Sequence, residues 1–180
     1  MDVLSLLAKK SEPSEKAKKR TPSPKKYKDP IPTVDVILRR NSLEKKVILI
    51  EKRGRPPFMD QYSLPGGHVD YGETVEEGAL RELREETFLE ANLLGILGVY
   101  SDPERDPRGQ RISTVFIAEC VHNDKPKAGD DAKSAQWMNL GEILKETEIA
   151  FDHRLILEDY KRAIELDLDS RNTFWSSKKR

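Results

Sequence analysis

Residues 64–87 read LPGGHVDYGETVEEGALRELREET, a glycine-rich loop running into a stretch crowded with carboxylates. Thr74 followed by Glu77 is a capping-box signature that starts a helix at Val75. At about 100° per residue, Glu82, Glu85 and Glu86 share an arc of roughly 100°, with Leu80 and Leu83 on the far side facing a core. Like charges on neighbouring turns repel by a few tenths of a kcal/mol per exposed pair. Carboxylates gathered against that repulsion, beside the carbonyls of a loop, make a natural ligand set for a hard divalent cation such as Mg²⁺ or Mn²⁺. The competing reading is a solvated acidic face on which Arg81 and Arg84 supply ion pairs within the helix.

Such a loop and helix need a scaffold, and the flanking sequence supplies one. Residues 33–39 are β-branched and alternate; a polar turn follows, then an apolar run over 46–51, and together these predict a two-stranded hairpin. Further strands are expected over 93–99, 112–121 and 135–140. A second helix is expected from 154 to about 165, where Ile156, Leu157, Tyr160 and Ile164 recur at helical spacing. Strands outnumber helices and a helix interrupts them mid-chain. The pattern predicts an α+β layered domain with a mixed sheet and flanking helices.

Composition sets outer bounds. With 180 residues, 32 Lys and Arg against 32 Asp and Glu, and 36% hydrophobic residues, one domain is the expectation. No apolar run approaches the ~18–20 residues needed to span a bilayer, and the first residues do not form a signal peptide, which predicts a cytoplasmic protein without a membrane partner. Cys120, the single cysteine, has no disulfide or zinc partner and is read as a buried structural thiol. Neutral net charge argues against a dedicated nucleic-acid binder. Residues 1–29 nevertheless carry nine Lys and Arg against four Asp and Glu, leaving 23 basic and 28 acidic residues for the rest. That segment, with Pro13, Pro22 and Pro24, is expected to be a disordered basic tail, residues 30–168 the folded domain, and 169–180 a basic C-terminal end. The clusters Lys18-Lys19-Arg20 and Lys25-Lys26 have the chemistry to bind RNA or to serve as a nuclear address. A solvated linker is the preferred reading.

The acidic segment resembles the Nudix box, G-x5-E-x7-R-E-U-x-E-E-x-G-U with U aliphatic. It matches at Gly67, Glu73, Arg81, Glu82, Leu83, Glu85, Glu86 and Leu89. One position departs, Phe88 standing where the pattern has its last glycine. The resemblance covers roughly residues 30–166 and implies a Nudix hydrolase with an α/β/α sandwich. Carried over, it makes Glu82, Glu85 and Glu86 the catalytic metal ligands, helped by the backbone carbonyl of Gly66, with Glu73 and Arg81 bracing loop against helix. It also implies cleavage of a nucleoside diphosphate linked to another group by a metal-activated water. Glu82 and a loop acid such as Asp130 or Asp131 are candidates for the general base.

Residues 100–109, YSDPERDPRG, resemble the loop of the ADP-ribose pyrophosphatase branch of that family. Pro103 corresponds to the proline that accompanies this specificity, and Arg105 and Arg108 are candidates to fork onto phosphate or ribose oxygens. Residues 128–132 with Trp137, and residues 150–153, resemble the same branch. His68 is expected to line the active site, and Tyr71, Phe58, Phe151 and Trp137 include candidate platforms for adenine, with a place in the core the preferred reading of each.

The implied activity is Mg²⁺-dependent hydrolysis of ADP-ribose to AMP and ribose 5-phosphate, with homodimers frequent in the branch. The alternatives are a Nudix hydrolase acting on another nucleoside diphosphate derivative or an oxidised nucleotide, and a noncatalytic nucleotide-binding sensor. Phe88 is expected to avoid the left-handed conformation of a glycine cap and to pack its ring against Leu89 or Leu93.

Overall fold

The structure, a computed structural model, describes residues 29–168 apart from 42, 45, 123, 130, 131 and 147. The predicted tail up to residue 28, the C-terminal end from 169, and the loop acids Asp130 and Asp131 lie outside the described residues. In chain order the elements are β1 (Ile31–Arg39), β2 (Val47–Arg53), β3 (Tyr62–Ser63), β4 (Gly66–His68), α1 (Val75–Thr87), β5 (Ala91–Tyr100), β6 (Arg111–Cys120), β7 (Ala132–Asn139), α2 (Leu140–Ile143) and α3 (His153–Glu165). None of the helices among the described residues is long and apolar enough to cross a membrane.

The sheet is mixed and runs β3-β2-β1-β6-β5, with β4 pairing β1 and β7 pairing β2. The expected hairpin of β1 and β2 exists only at its root. The two strands are antiparallel but share the single register pair Arg39↔Ile48. Farther along that edge β4 takes over, with Thr33↔His68 to Asp35↔Gly66, while β2 diverges to pair with β7 over most of its length. The main partner of β1 is parallel β6, from Ile31↔Arg111 to Arg39↔Glu119. Pairing on both sides makes β1 the centre of the sheet, which explains its long apolar run.

Strand alternation sorts the core into two layers. Val34, Val36, Leu38 and Leu49 pack with Ala79, Leu83 and Leu89 on the α1 side. Ile37, Ile48 and Ile50 pack with Ile156, Leu157 and Tyr160 on the α3 side, where α2 adds Leu140 and Ile143. Each fully buried aliphatic side chain contributes about 1.5–3 kcal/mol relative to exposure. The α/β/α sandwich is therefore built from one sheet with opposite alternating faces. On α1 the inward residues are Ala79 and Leu83; Leu80, expected to share that role, is only half-buried.

Both ends of α1 are fixed by local chemistry. The predicted capping box is formed, Glu77 N–H donating to Thr74 Oγ1 at 3.2 Å and Thr74 N–H to the Glu77 carboxylate at 2.9 Å. At the other end the expectation for Phe88 is overturned. Phe88 adopts the left-handed conformation, φ 58° and ψ 22°, and the residue is 64% exposed rather than packed in the core. The reversal is imposed by its neighbours: Phe88 N–H bonds Arg84 O, Leu89 N–H bonds Thr87 Oγ1, and Leu89 turns into the core. The chain before β7 then seals the helix, Lys127 N–H donating to Thr87 O and Gly129 N–H to Glu86 O. These contacts outweigh the roughly 1–2 kcal/mol that the left-handed geometry costs a residue with a β-carbon. Phe88→Gly should consequently stabilise the protein by about 0.5–1 kcal/mol, since relief of the cap exceeds the added freedom of the unfolded glycine. Denaturant unfolding checks it. A loss above ~1 kcal/mol would mean that the ring has packing the structure does not contain.

Candidate active site

The Nudix-box loop and α1 meet along one side of a cavity of about 280 Å³. Arg81 is the hub of that side. Its Nε and Nη2 grip the Glu73 carboxylate at 3.1 and 2.7 Å, and Nη2 also reaches His68 O at 2.9 Å, so loop and helix are clamped as the resemblance implied. Its Nη1 lies 3.1 Å from both Glu82 Oε1 and Glu85 Oε2. The two loop glycines face these carboxylates. Gly66 N–H donates to Glu86 Oε2 at 2.8 Å, and a β-carbon on Gly67 would sit 2.3 Å from Glu82 Oε1. Only glycine lets the loop run that close to the Glu82 carboxylate.

The three box glutamates are not equivalent. Glu82 and Glu86 are half-buried and line the cavity, whereas Glu85 is exposed, does not line it and leans on Arg81. A fourth carboxylate joins from the sheet. Glu51 is 4% exposed and lines the same cavity, and its Oε1 has no hydrogen-bond partner among the described residues. Burial, and after it the charge of Glu86, pushes the Glu51 carboxyl far above the usual range. Burial likewise raises Glu86, with Glu82 and Asp35 adding to the effect and the Gly66 N–H opposing it. Glu82 is raised by burial against the pull of Arg81.

Among the described residues no group of three or more His, Cys, Asp or Glu side chains is placed to hold a metal ion as it stands. The donor set nevertheless fits a hard divalent cation: oxygen ligands only, several carboxylates desolvated together, and a buried carboxylate oxygen without a donor. Added positive charge would relieve the last two.

The cavity wall is cationic and aromatic as well as acidic. Phe151 packs edge-on against Phe58, with ring centroids 4.8 Å apart, and the guanidinium carbons of Arg53 and Arg108 stand 4.9 and 5.4 Å from its centroid. Arg53 is held by a bond from its Nε to Pro57 O, and Arg108 by two bonds to Asp106. Of the other aromatic candidates, Trp137 packs in the α1 layer and Tyr71 is fully exposed. Burial, followed by the charges of Arg111 and Arg108, keeps the His68 ring in the cavity wall below its usual range.

The loop residues expected at the substrate part company. Pro103 is exposed and does not line the cavity; Arg105 and Arg108 both line it. Arg105, at 9% exposure, is also part of the framework. Its Nε and Nη2 reach the two Asp152 oxygens at 2.8 and 2.7 Å, and Nη2 lies 3.2 Å from Asp35 Oδ2. Ser113 Oγ donates to Asp35 Oδ2 at 2.5 Å, and His153 Nε2 is 3.4 Å from Asp35 Oδ1. His153 Nδ1 accepts the Leu64 N–H at 2.9 Å, which assigns the ring proton to Nε2. Burial works against the Asp35 charge, but His153, Arg105 and Ser113 together hold its carboxyl down at about 2. Asp152 stands at the N-cap position of α3 without a side-chain capping bond, because Arg105 occupies its carboxylate.

Residues 29–160 match the family model for the NUDIX domain, and the chain belongs to the Nudix family of hydrolases. It is 46% identical over 136 residues to the ADP-ribose pyrophosphatase of Methanocaldococcus jannaschii, covering 76% of each chain. Among solved structures it is similar to the NUDIX domain of Shewanella oneidensis NrtR complexed with ADP ribose, at 25% identity and a TM-score of 0.66, over 79% of this chain and 93% of that one. It is also similar to a bifunctional NMN adenylyltransferase/ADP ribose pyrophosphatase of Francisella tularensis complexed with AMP and a Mn ion, at 28% identity and a TM-score of 0.66, over 78% of this chain. There the match spans only 43% of the longer enzyme.

Sequence reasoning missed Asp35, Glu51, Arg53 and Asp106. For the two on β2 a signal existed. Leu49, Glu51 and Arg53 alternate, so a core position on the α1 side carries on into an acid and a base on that same side.

Proposed function

We propose that the chain hydrolyses the diphosphate of ADP-ribose to AMP and ribose 5-phosphate, with Mg²⁺ as its cation. The observation that carries this reading is a single cavity lined by both carboxylates and guanidinium groups. Its likeness to a protein described as an ADP-ribose pyrophosphatase supports the choice of substrate. A diphosphate calls for both, since its oxygens need cations and the acids need a metal between themselves and the substrate.

Glu82 and Glu86, with the carbonyl of Gly66, would hold the cation; Glu85 would join only by turning from Arg81. When bound, the divalent ion supplies neutralisation of the diphosphate and a water of lowered pKa. The remaining work falls to the chain itself. Arg81 keeps Glu82 oriented, and the absence of a β-carbon at Gly67 leaves room for its carboxylate. Arg53 and Arg108, held over the Phe151 ring, would offer positive charge to the diphosphate oxygens. A volume of about 280 Å³ suits the diphosphate and one flanking sugar, with the rest of the ligand at the mouth. Glu82 and the loop acids Asp130 and Asp131 are the candidates to take the water's proton.

The test is a hydrolysis panel of the full chain with Mg²⁺ on ADP-ribose, NADH, dinucleoside polyphosphates and nucleoside triphosphates, with products separated by chromatography. The expected result is AMP and ribose 5-phosphate in equal amounts, with kcat/KM for ADP-ribose at least about tenfold above the rest, ~1.4 kcal/mol of discrimination. A triphosphate or dinucleotide as best substrate would replace ADP-ribose. Binding of ADP-ribose without products would favour a second reading, a nucleotide-binding Nudix domain without turnover, which the likeness to the ADP ribose complex of NrtR supports.

A further inference from the structure

We infer that Glu51, on β2 and outside the Nudix box, is a carboxylate ligand of the divalent cation, joining Glu82 and Glu86 from α1. The inference rests on the metal-dependent reading above and adds a ligand to it. Three observations carry it. Glu51 lines the cavity together with Glu82 and Glu86. It is 4% exposed, so bulk water does not solvate it. Its Oε1 is one of two buried side-chain atoms among the described residues without a hydrogen-bond partner.

A carboxylate oxygen in that position is costly to keep unless something positive meets it. Among the neighbouring side chains the charge of Arg53 acts on Glu51, but no donor bonds its Oε1. Arg53, two residues along the same face, directs its Nε to Pro57 O, and Arg105 is taken up by Asp152 and Asp35. The backbone of β2 is committed as well, with Glu51 in register with Ser63 on one side and Ala135 on the other. The strand is thus fixed and aims this side chain at the cavity. A hard cation bound by Glu82 and Glu86 is the partner that such an oxygen fits.

The test is Mn²⁺ binding to the full chain, by calorimetry and by the loss of the free-ion electron paramagnetic resonance signal, for the parent, Glu51→Gln, Glu51→Asp and Glu86→Gln. Glu51→Gln is expected to weaken Mn²⁺ at least about tenfold and to shrink the rise in Tm that Mn²⁺ produces. Glu51→Asp should recover part of the affinity, and it keeps the comparison open if the amide variant folds poorly. If Glu86→Gln loses Mn²⁺ while Glu51→Gln binds within twofold of the parent, Glu51 is a buried acid satisfied by water or a shared proton, and the inference fails while the metal-dependent reading stands. If the parent itself binds no Mn²⁺ at millimolar concentration, with or without ADP-ribose, both fall.

Discussion

Glu86→Gln is expected to lower ADP-ribose turnover about a hundredfold or more, ~2.7 kcal/mol of transition-state stabilisation, while the metal-free protein melts at or above the parent temperature. The amide keeps a carbonyl oxygen for the Gly66 N–H, so the contact between loop and helix survives. What disappears is one negative charge, which is where a cation ligand matters. Removing it also eases repulsion from the neighbouring acids, since the charges of Glu82 and Asp35 both oppose that of Glu86. The same change at Glu85 should cost less, because Glu85 is exposed and stands outside the cavity. Turnover measured over a Mg²⁺ series, beside thermal melting, separates the two. Near-parent activity of Glu86→Gln at limiting Mg²⁺ would remove Glu86 from the ligand set.

Arg105→Met should destabilise the protein by about 3–5 kcal/mol, the cost of leaving a buried carboxylate without its partner. Both Asp35 and Asp152 lose a charged donor, and with them the loop before β6 loses its tie to the start of α3. The pH dependence supplies a second check. With its folded pKa held down near 2 against 3.8, Asp35 lends the parent stability that is present above about pH 4 and lost as pH falls towards 2. That contribution is ~2 kcal/mol and needs Arg105 among its causes. The deficit of the variant should accordingly narrow as the solution is acidified through this window. Chemical unfolding at pH 7 and below pH 4 measures it. A deficit under ~1 kcal/mol, or one independent of pH, would show that the cluster is solvated rather than a buried framework.

How much of this was legible beforehand depends on whether a residue's role was local. The capping box, the span of α1 and the inward stripe of α3 are set by residues three and four apart, and they were readable. The brace of Arg81 on Glu73 came through the resemblance, because a motif encodes one stretch of chain. The cluster around Asp35 did not come through. It joins β1, β6, the loop before β6 and the start of α3, with sequence separations of 78 between Asp35 and Ser113 and 89 between Leu64 and His153. Neither periodicity nor a motif reports on that distance. Phe88 failed for another reason. The intrinsic cost of a left-handed residue was weighed, but not the buried Leu89 and the capping amides of Lys127 and Gly129 that outweigh it.

The central place of β1 also dictates the order in which the molecule can be made. Its longest pairing is with β6, where Arg39 and Glu119 bond across 80 residues of sequence. Synthesis proceeds from the N-terminus, so β1, β2, β4 and α1 leave the ribosome well before β6 does. Until then β1 has an open edge in the middle of an apolar sheet, and Val34, Val36 and Leu38 have only part of their cover. Helix α1 needs no distant partner for its N-terminal cap, whereas the sheet that must receive it waits for a contact of long sequence separation, the slow kind. A nascent chain that has emerged as far as Tyr100 would hold the capped segment of α1 beside an unfinished sheet. That interval, rather than the finished fold, is where a chaperone would meet this protein.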